Sequence, residues 1–309
     1  MFEKGGADRA PPVRVRVVVS EQRDEGTNVH LATIRTAETT RAVVLVGAEL
    51  IEIDGADDVG ELLGDPTWRS RALAANGARH PLVGADFAPL VVKPDKVFCV
   101  GLNYRSHIEE MGNVVPEFPT LFAKFTDALI GANDPIAIPA ESEKVDWEVE
   151  LGVVIGQTVR RATAAQARTA IAGYTVVNDI SMRDWQRRTV EFLQGKTFEH
   201  STPVGPFLLV DDADSPVPTF DLRCSVDGVV KQSSNTSDLV FDPVALVQYC
   251  STIITLRPGD VIATGTPGGV GAARTPPEFL RPGAVVLTEI DGIGACRNVC
   301  VSDPSSPSG

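Results

Sequence analysis

Glu148 and Glu150 stand two residues apart in the stretch V-D-W-E-V-E-L-G-V-V-I-G, residues 145–156, and Asp179 ends the apolar run T-V-V-N-D. Trp147, Val149, Leu151 and Val153 alternate with Asp146, Glu148, Glu150 and Gly152, the period-2 pattern of a strand. Residues i and i+2 of a strand share a face, so the two glutamates point the same way. Adjacent carboxylates repel unless they are protonated, solvated or bridged by a cation. With Asp179 at a sheet rim they make an all-oxygen ligand set, which suits a hard divalent cation, Mg²⁺ or Mn²⁺, with Ca²⁺ able to substitute in a crystal. A solvated outer face is the ordinary alternative for an E-x-E pair, and the spacing alone does not bring the three acids together.

A second group lies in G-L-N-Y-R-S-H-I-E-E-M-G, residues 101–112. His107 and Glu110 are at i and i+3, one face if the segment is helical. A histidine oriented by a carboxylate is a serviceable general base near neutral pH, although such pairs also occur idly on surfaces. The run R-D-W-Q, Arg183 to Gln186, offers a guanidinium fork suited to a carboxylate. With Arg187 and Arg188 it can equally be a polar helix face. Lys124 and Lys196 border strand-like text, where a lysine usually snorkels to solvent. The loop from Gly265 to Gly271 matches neither phosphate-binding glycine pattern; it reads as backbone N–H groups and the Thr266 hydroxyl brought close to a ligand.

The elements that must position these groups are mostly strands. Residues 1–12 read as a loose leader and Val13 onward as strand. Strands follow at 29–34, 42–46 and 48–53, with short helices at 57–63 and 67–75, so residues 1–92 are expected to form a small α+β domain. From residue 93 to 302 the text is β-rich with interspersed helices: strands at 97–101 and 121–125, Ser106 as a helix cap, and a helix at 164–172 capped by Thr163. A strand at 174–180, helical spacing over 182–193, a D-G hairpin around Asp227-Gly228, a helix at 243–254 and a closing hairpin after 284 complete it. Residues 303–309 have the composition of a disordered tail.

With 43% hydrophobic and 22% charged residues the chain is ordinary for a globular protein. A net charge of −13 with no basic stripe speaks against nucleic acid, and no apolar run is long enough for a membrane span. No secretory h-region opens the sequence, and Cys99, Cys224, Cys250, Cys296 and Cys300 lack C-x-x-C spacing. Buried, reduced cysteines in a cytoplasmic protein are the expectation. His30 and His80 have no ligand-spaced partners and read as structural.

Taken in order, G-L-N-Y-R-S-H-I-E-E-M-G, L-F-A-K, D-W-E-V-E-L-G-V-V-I-G, N-D-I-S-M-R-D-W-Q, G-K-T-F and G-D-V-I-A-T-G-T-P-G-G-V-G resemble the fumarylacetoacetate hydrolase superfamily, in particular its acylpyruvase-like branch. The resemblance spans residues 93–301 and implies a mixed β-roll or β-sandwich catalytic domain, a homodimer, and one Mg²⁺ or Mn²⁺ held by Glu148, Glu150 and Asp179. It implies an acid/base pair of His107 and Glu110 on a lid, Lys196 as a catalytic cation, and substrate contacts from Arg183, Gln186, Lys124 and Thr266. Leu102 stands where some relatives have Arg, and Phe125 where Pro is frequent. The implied reaction is metal-dependent hydrolysis of a C–C bond in a β-diketo acid such as an acylpyruvate. The alternative on the same site is a 2-oxo acid (oxaloacetate) decarboxylase or a 2-hydroxydienedioate isomerase. Either way a small anionic acid would meet an acidic protein through a metal and a few placed cations.

Overall fold

The computed structural model describes residues 29–110, 112, 114–303 and 305, with the Glu110 side chain excluded. The leader, the strand expected from Val13 and most of the 303–309 tail lie outside the described residues. The fold is mixed and sheet-rich, an α+β architecture. One long sheet runs through Arg79–Pro81, Glu49–Glu52, Thr40–Val46, His30–Arg35, Thr202–Val210, Ile171–Asn178, Val149–Ile155, Val261–Ala263, Val97–Gly101 and Thr120–Lys124. Successive pairs along this path are antiparallel except where Val261–Ala263 runs parallel to Val97–Gly101, and the short strand Leu129–Ile130 adds a parallel pair to Thr202–Val210. A second sheet orders Val229–Asn235, Asp221–Val226, Val285–Ile290, Gly294–Ser302 and Ile136–Ile138.

Alternation in the sequence decides which face is buried against what. Val149, Leu151, Val153, Tyr174 and Val176 point from the long sheet toward Leu222, Cys224, Val286 and Cys296 of the second, and these form one core. The opposite face of the long sheet carries Val154, Ala172, Val177 and Cys99 against Val59, Leu62 and Trp68 of the short helices Val59–Leu63 and Trp68–Leu73. Sheet and core therefore run across the boundary expected at residue 93: His30–Arg35 pairs with Thr202–Val210. All five cysteines are buried and free, and burial raises the thiol pKa, that of Cys250 to about 12.

Several local expectations hold for the expected reason. The helix Ala164–Ala170 begins with a capping box between Thr163 and Gln166. Pro243–Ile253 has Asp242 capping it and proline at its first turn, and the two helices pack together. His30 bonds the Gly292 carbonyl at 2.8 Å and meets the Phe207 ring edge-on, while His80 pairs with Glu52 at 2.7 Å.

Three expectations are corrected. The helical spacing over 182–193 yields only Arg183–Gln186, because the chain turns back to lay Gly195 on the Gln186 backbone, where a Cβ would stand 2.4 Å from the Gln186 nitrogen. Ser106 is no cap; it sits inside the helix Arg105–Glu110, and its hydroxyl donates to Asp238 at 2.5 Å. The run 145–156 is two strands, Val145–Asp146 and Val149–Ile155, because the intervening Trp147 and Glu148 N–H groups donate to the side chains of Asp146, at 2.9 Å, and Asn178, at 3.0 Å, instead of to a neighbouring strand.

Candidate metal centre

The break at Trp147 and Glu148 builds the site. Glu148 N–H donates to Asn178 Oδ1 at 3.0 Å, and Asp179 N–H returns to the Glu148 carbonyl at 2.9 Å. The end of the strand Ile171–Asn178 is thereby tied beside Glu148, and Glu150 lies two residues further on the same face. One carboxylate oxygen from each of Glu148, Glu150 and Asp179 lies within 4.8 Å of the others, and all three residues are buried. Oxygens at about 2.1 Å from a Mg²⁺ stand about 3 Å apart when adjacent and about 4.2 Å when opposite, so small side-chain rotations would close this group on a cation. Hard oxygen donors without sulfur or imidazole fit Mg²⁺ or Mn²⁺.

Burial and two acidic neighbours, Asp179 and Glu148, push the Glu150 carboxyl well above its ordinary pKa; Lys196 and the Gly265 N–H, 2.8 Å away, only partly offset this. Burial acts on Asp179 in the same direction, but Lys124 and Lys196 together outweigh it and hold that carboxyl below its usual range. Lys196, 2% exposed, places its ammonium 2.7 Å from Glu148 Oε2 and 2.8 Å from Asp179 Oδ2. Those carboxylates overcome its desolvation and raise its pKa, so the side chain is a fixed cation. Phe122 covers it, with the ring centroid 5.0 Å from the ammonium.

The other basic groups are committed to protein acids. Lys124 does not snorkel: it is buried, 2.9 Å from Asp179 Oδ1, and donates to Ile180 O at 3.0 Å, Thr202 Oγ1 at 2.7 Å and the Lys196 carbonyl. Arg183 is buried as well, reaching Asp146 at 2.8 Å, Glu148 at 2.5 Å and Gln186 at 3.0 Å. Both side chains hold the acids in place, which is how they bear on the site in this structure.

Residues outside the expected set complete the frame. Asp146, fully buried, accepts from Gly271 N at 2.6 Å, Ala272 N at 2.9 Å and Arg183, tying the glycine-rich loop to the acids. Asn103 donates to the Phe241 and Thr264 carbonyls at 3.0 and 2.8 Å, rooting the segment that leads to His107. His107 is half-buried on Arg105–Glu110; the Glu110 side chain lies outside the described residues. The sequence signal for Asp146 was present in D-W-E-V-E, one alternation before Glu148; Asn103 carried none beyond its neighbourhood.

The model for "Fumarylacetoacetate (FAA) hydrolase C-terminal" matches residues 96–301, two thirds of the chain and every residue of the triad. The chain belongs to the fumarylacetoacetate hydrolase family. Among the curated relatives of this family member, oxaloacetate tautomerase Fahd2a, mitochondrial, of Rattus norvegicus is 43% identical over 232 residues, covering 75% of this chain and 74% of the relative. The Xenopus laevis protein of the same activity, fahd2, is 41% identical over 243 residues, covering 77% and 76%. Among solved structures, a 5-carboxymethyl-2-hydroxymuconate delta-isomerase from Mycobacterium smegmatis matches with TM-score 0.74 and 33% identity, over 89% of this chain and 100% of that one. A fumarylacetoacetate hydrolase from Exiguobacterium antarcticum gives TM-score 0.79 and 29% identity, over 89% and 99%.

One consequence is directly testable. Gly265 has φ of +100°, and a Cβ there would lie 2.9 Å from Asn103 Cβ and 3.0 Å from the Val100 carbonyl. Gly265→Ala is expected to cost about 1–3 kcal/mol and to pull the Gly265 N–H off Glu150. Thermal melts with Mn²⁺ titration check it: a lower Tm with weakened Mn²⁺ binding is expected, and an unchanged pair refutes it.

Proposed function

We propose that this family member is a divalent-metal-dependent tautomerase of small 2-oxo diacids, interconverting the keto and enol forms of an oxaloacetate-type substrate. The observation that carries the reading is the fixed ammonium of Lys196 between Glu148 and Asp179: a permanent cation beside an oxygen-ligand triad suits a reaction whose transition state gathers negative charge. The names of the oxaloacetate tautomerase relatives and of the structurally similar isomerase support proton transfer over C–C hydrolysis, which lies nearer to the decarboxylase-or-isomerase alternative drawn from the sequence than to its first choice. Glu148, Glu150 and Asp179 would hold Mg²⁺ or Mn²⁺, which when bound supplies Lewis acidity and a template for the 2-oxo acid oxygens.

The chain's own groups do the rest. His107 takes the proton from the carbon next to the 2-oxo group, and the electron pair moves to the oxygen. Lys196 stabilises that charge until a proton reaches the oxygen, giving the enol, so one proton leaves carbon and one arrives at oxygen. The helix carrying His107 is docked on residues 236–241 through Asn103, Ser106 and Asp238.

Hydrolysis is the second reading, favoured by the likeness to the Exiguobacterium hydrolase; it shares the enolate but spends the base on water. An ultraviolet assay separates them. Enol absorbance of oxaloacetate should relax faster with protein and Mg²⁺, and EDTA or His107→Ala should abolish the acceleration. Pyruvate release from acetylpyruvate or fumarylpyruvate, without oxaloacetate relaxation, would transfer the assignment to the hydrolase.

A further inference from the structure

Gln232 enters the site from the second sheet, and no sequence pattern marked it. It lies on Val229–Asn235, 1% exposed, with its amide wholly engaged. Val149 N–H donates to Gln232 Oε1 at 3.0 Å, and Gln232 Nε2 donates to Thr266 Oγ1 at 2.8 Å and to the Pro267 carbonyl at 3.0 Å. The Thr266 hydroxyl then donates to the Val149 carbonyl at 3.0 Å. Three of these bonds form a closed ring that begins and ends on Val149, the residue between Glu148 and Glu150.

The ring has a single sense. Val149 N–H can only donate, so it requires the amide oxygen; the Pro267 carbonyl can only accept, so it requires the amide nitrogen. Two independent partners therefore fix the amide orientation, which in other settings is ambiguous. Thr266 Oγ1 must then accept from Gln232, and its one proton goes to the Val149 carbonyl, an acceptor with no alternative role. What the half-buried Thr266 hydroxyl has left is one lone pair.

We propose that Gln232 is a positioning residue that fixes the Thr266 hydroxyl as a hydrogen-bond acceptor toward the site, so that this wall takes a ligand's O–H, enol or hydroxyl, in preference to a bare carboxylate or carbonyl oxygen. The inference rests on Thr266 being a ligand contact in the proposed reaction, and it deepens that reading: the enol form carries the donor that the keto form lacks.

Calorimetric titration of the Mg²⁺-loaded protein with malate, which bears a hydroxyl, and with oxalate, which has acceptors only, tests it. Thr266→Val should weaken malate about tenfold and leave oxalate within about twofold, the size of one hydrogen bond. Gln232→Met keeps the side-chain bulk but releases the hydroxyl rotor, so the malate-to-oxalate ratio should fall by about the same factor. A merely structural role would weaken both ligands equally, and that outcome, or no change in either variant, overturns the proposal. Should Gln232→Met prove too unstable to titrate, the Thr266→Val ratio decides alone. Wild-type turnover of oxaloacetate does not enter these titrations. A protein inert toward oxaloacetate that still shows the ligand split refutes the tautomerase and keeps the ring; turnover without the split does the reverse.

Discussion

Asp179→Ala is expected to abolish divalent-cation binding and to lower stability by roughly 3–5 kcal/mol, the range for removing one partner of a buried ion pair. The reason is the pair of lysines. Asp179 is fully buried and receives Lys124 on one oxygen at 2.9 Å and Lys196 on the other at 2.8 Å. Without it, Lys124 has no carboxylate within ion-pair distance among the described residues, and Lys196 keeps only Glu148. Two buried ammonium groups would then face each other across a site designed to hold them apart with charge. Calorimetry should show a Tm fall of roughly 10 °C. Mn²⁺ titration should show no saturable site. A variant that melts like the wild type would mean that water reaches the lysines freely, and one that still binds Mn²⁺ would remove Asp179 from the ligand set.

Much of this site was legible in the sequence, and the reason is local. Strand alternation marks Glu148 and Glu150 as sharing a face and Asp179 closes a buried run, so a few neighbours single out each acid, although the break at Glu148 and the convergence of the three lie beyond that pattern. The hairpin at Asp227-Gly228 and the helix at Thr163 are equally local, set by turn and capping chemistry. What was hidden depends on pairings between distant segments. The bonds of Arg183 to Asp146 and Glu148 follow only from the pairing of Ser181–Met182 with Val145–Asp146. Lys124 looked like a snorkelling lysine until the strand Thr120–Lys124 closed the end of the long sheet and delivered it to Asp179. Gln232 belongs to a different sheet, and its partners Val149 and Thr266 sit 83 and 34 residues away. The sheet joining the first described strands to Thr202–Val210 was beyond local reading for the same reason.

Lys196→Met should separate catalysis from metal binding, the opposite signature to Asp179→Ala. Methionine fills nearly the same volume and keeps contact with Phe122, so the packing loss is small. What disappears is a charge that sits 2.7 Å from Glu148 and 2.8 Å from Asp179. A neighbouring cation disfavours a second cation at the same carboxylates, so its removal should leave Mn²⁺ affinity equal to or tighter than in the wild type. Turnover should nevertheless fall by about 10²–10³, because the charge that develops on the substrate oxygen loses a preorganised partner in a water-poor site. The loss should appear in kcat, since the interaction strengthens only as the proton leaves carbon. Stopped-flow enol relaxation alongside Mn²⁺ titration reads both quantities on one preparation. If kcat stays within about threefold of wild type, Lys196 is no more than a structural clamp. If Mn²⁺ binding collapses together with kcat, the ammonium is needed to hold the carboxylates in register, and the stabilising role passes to another group.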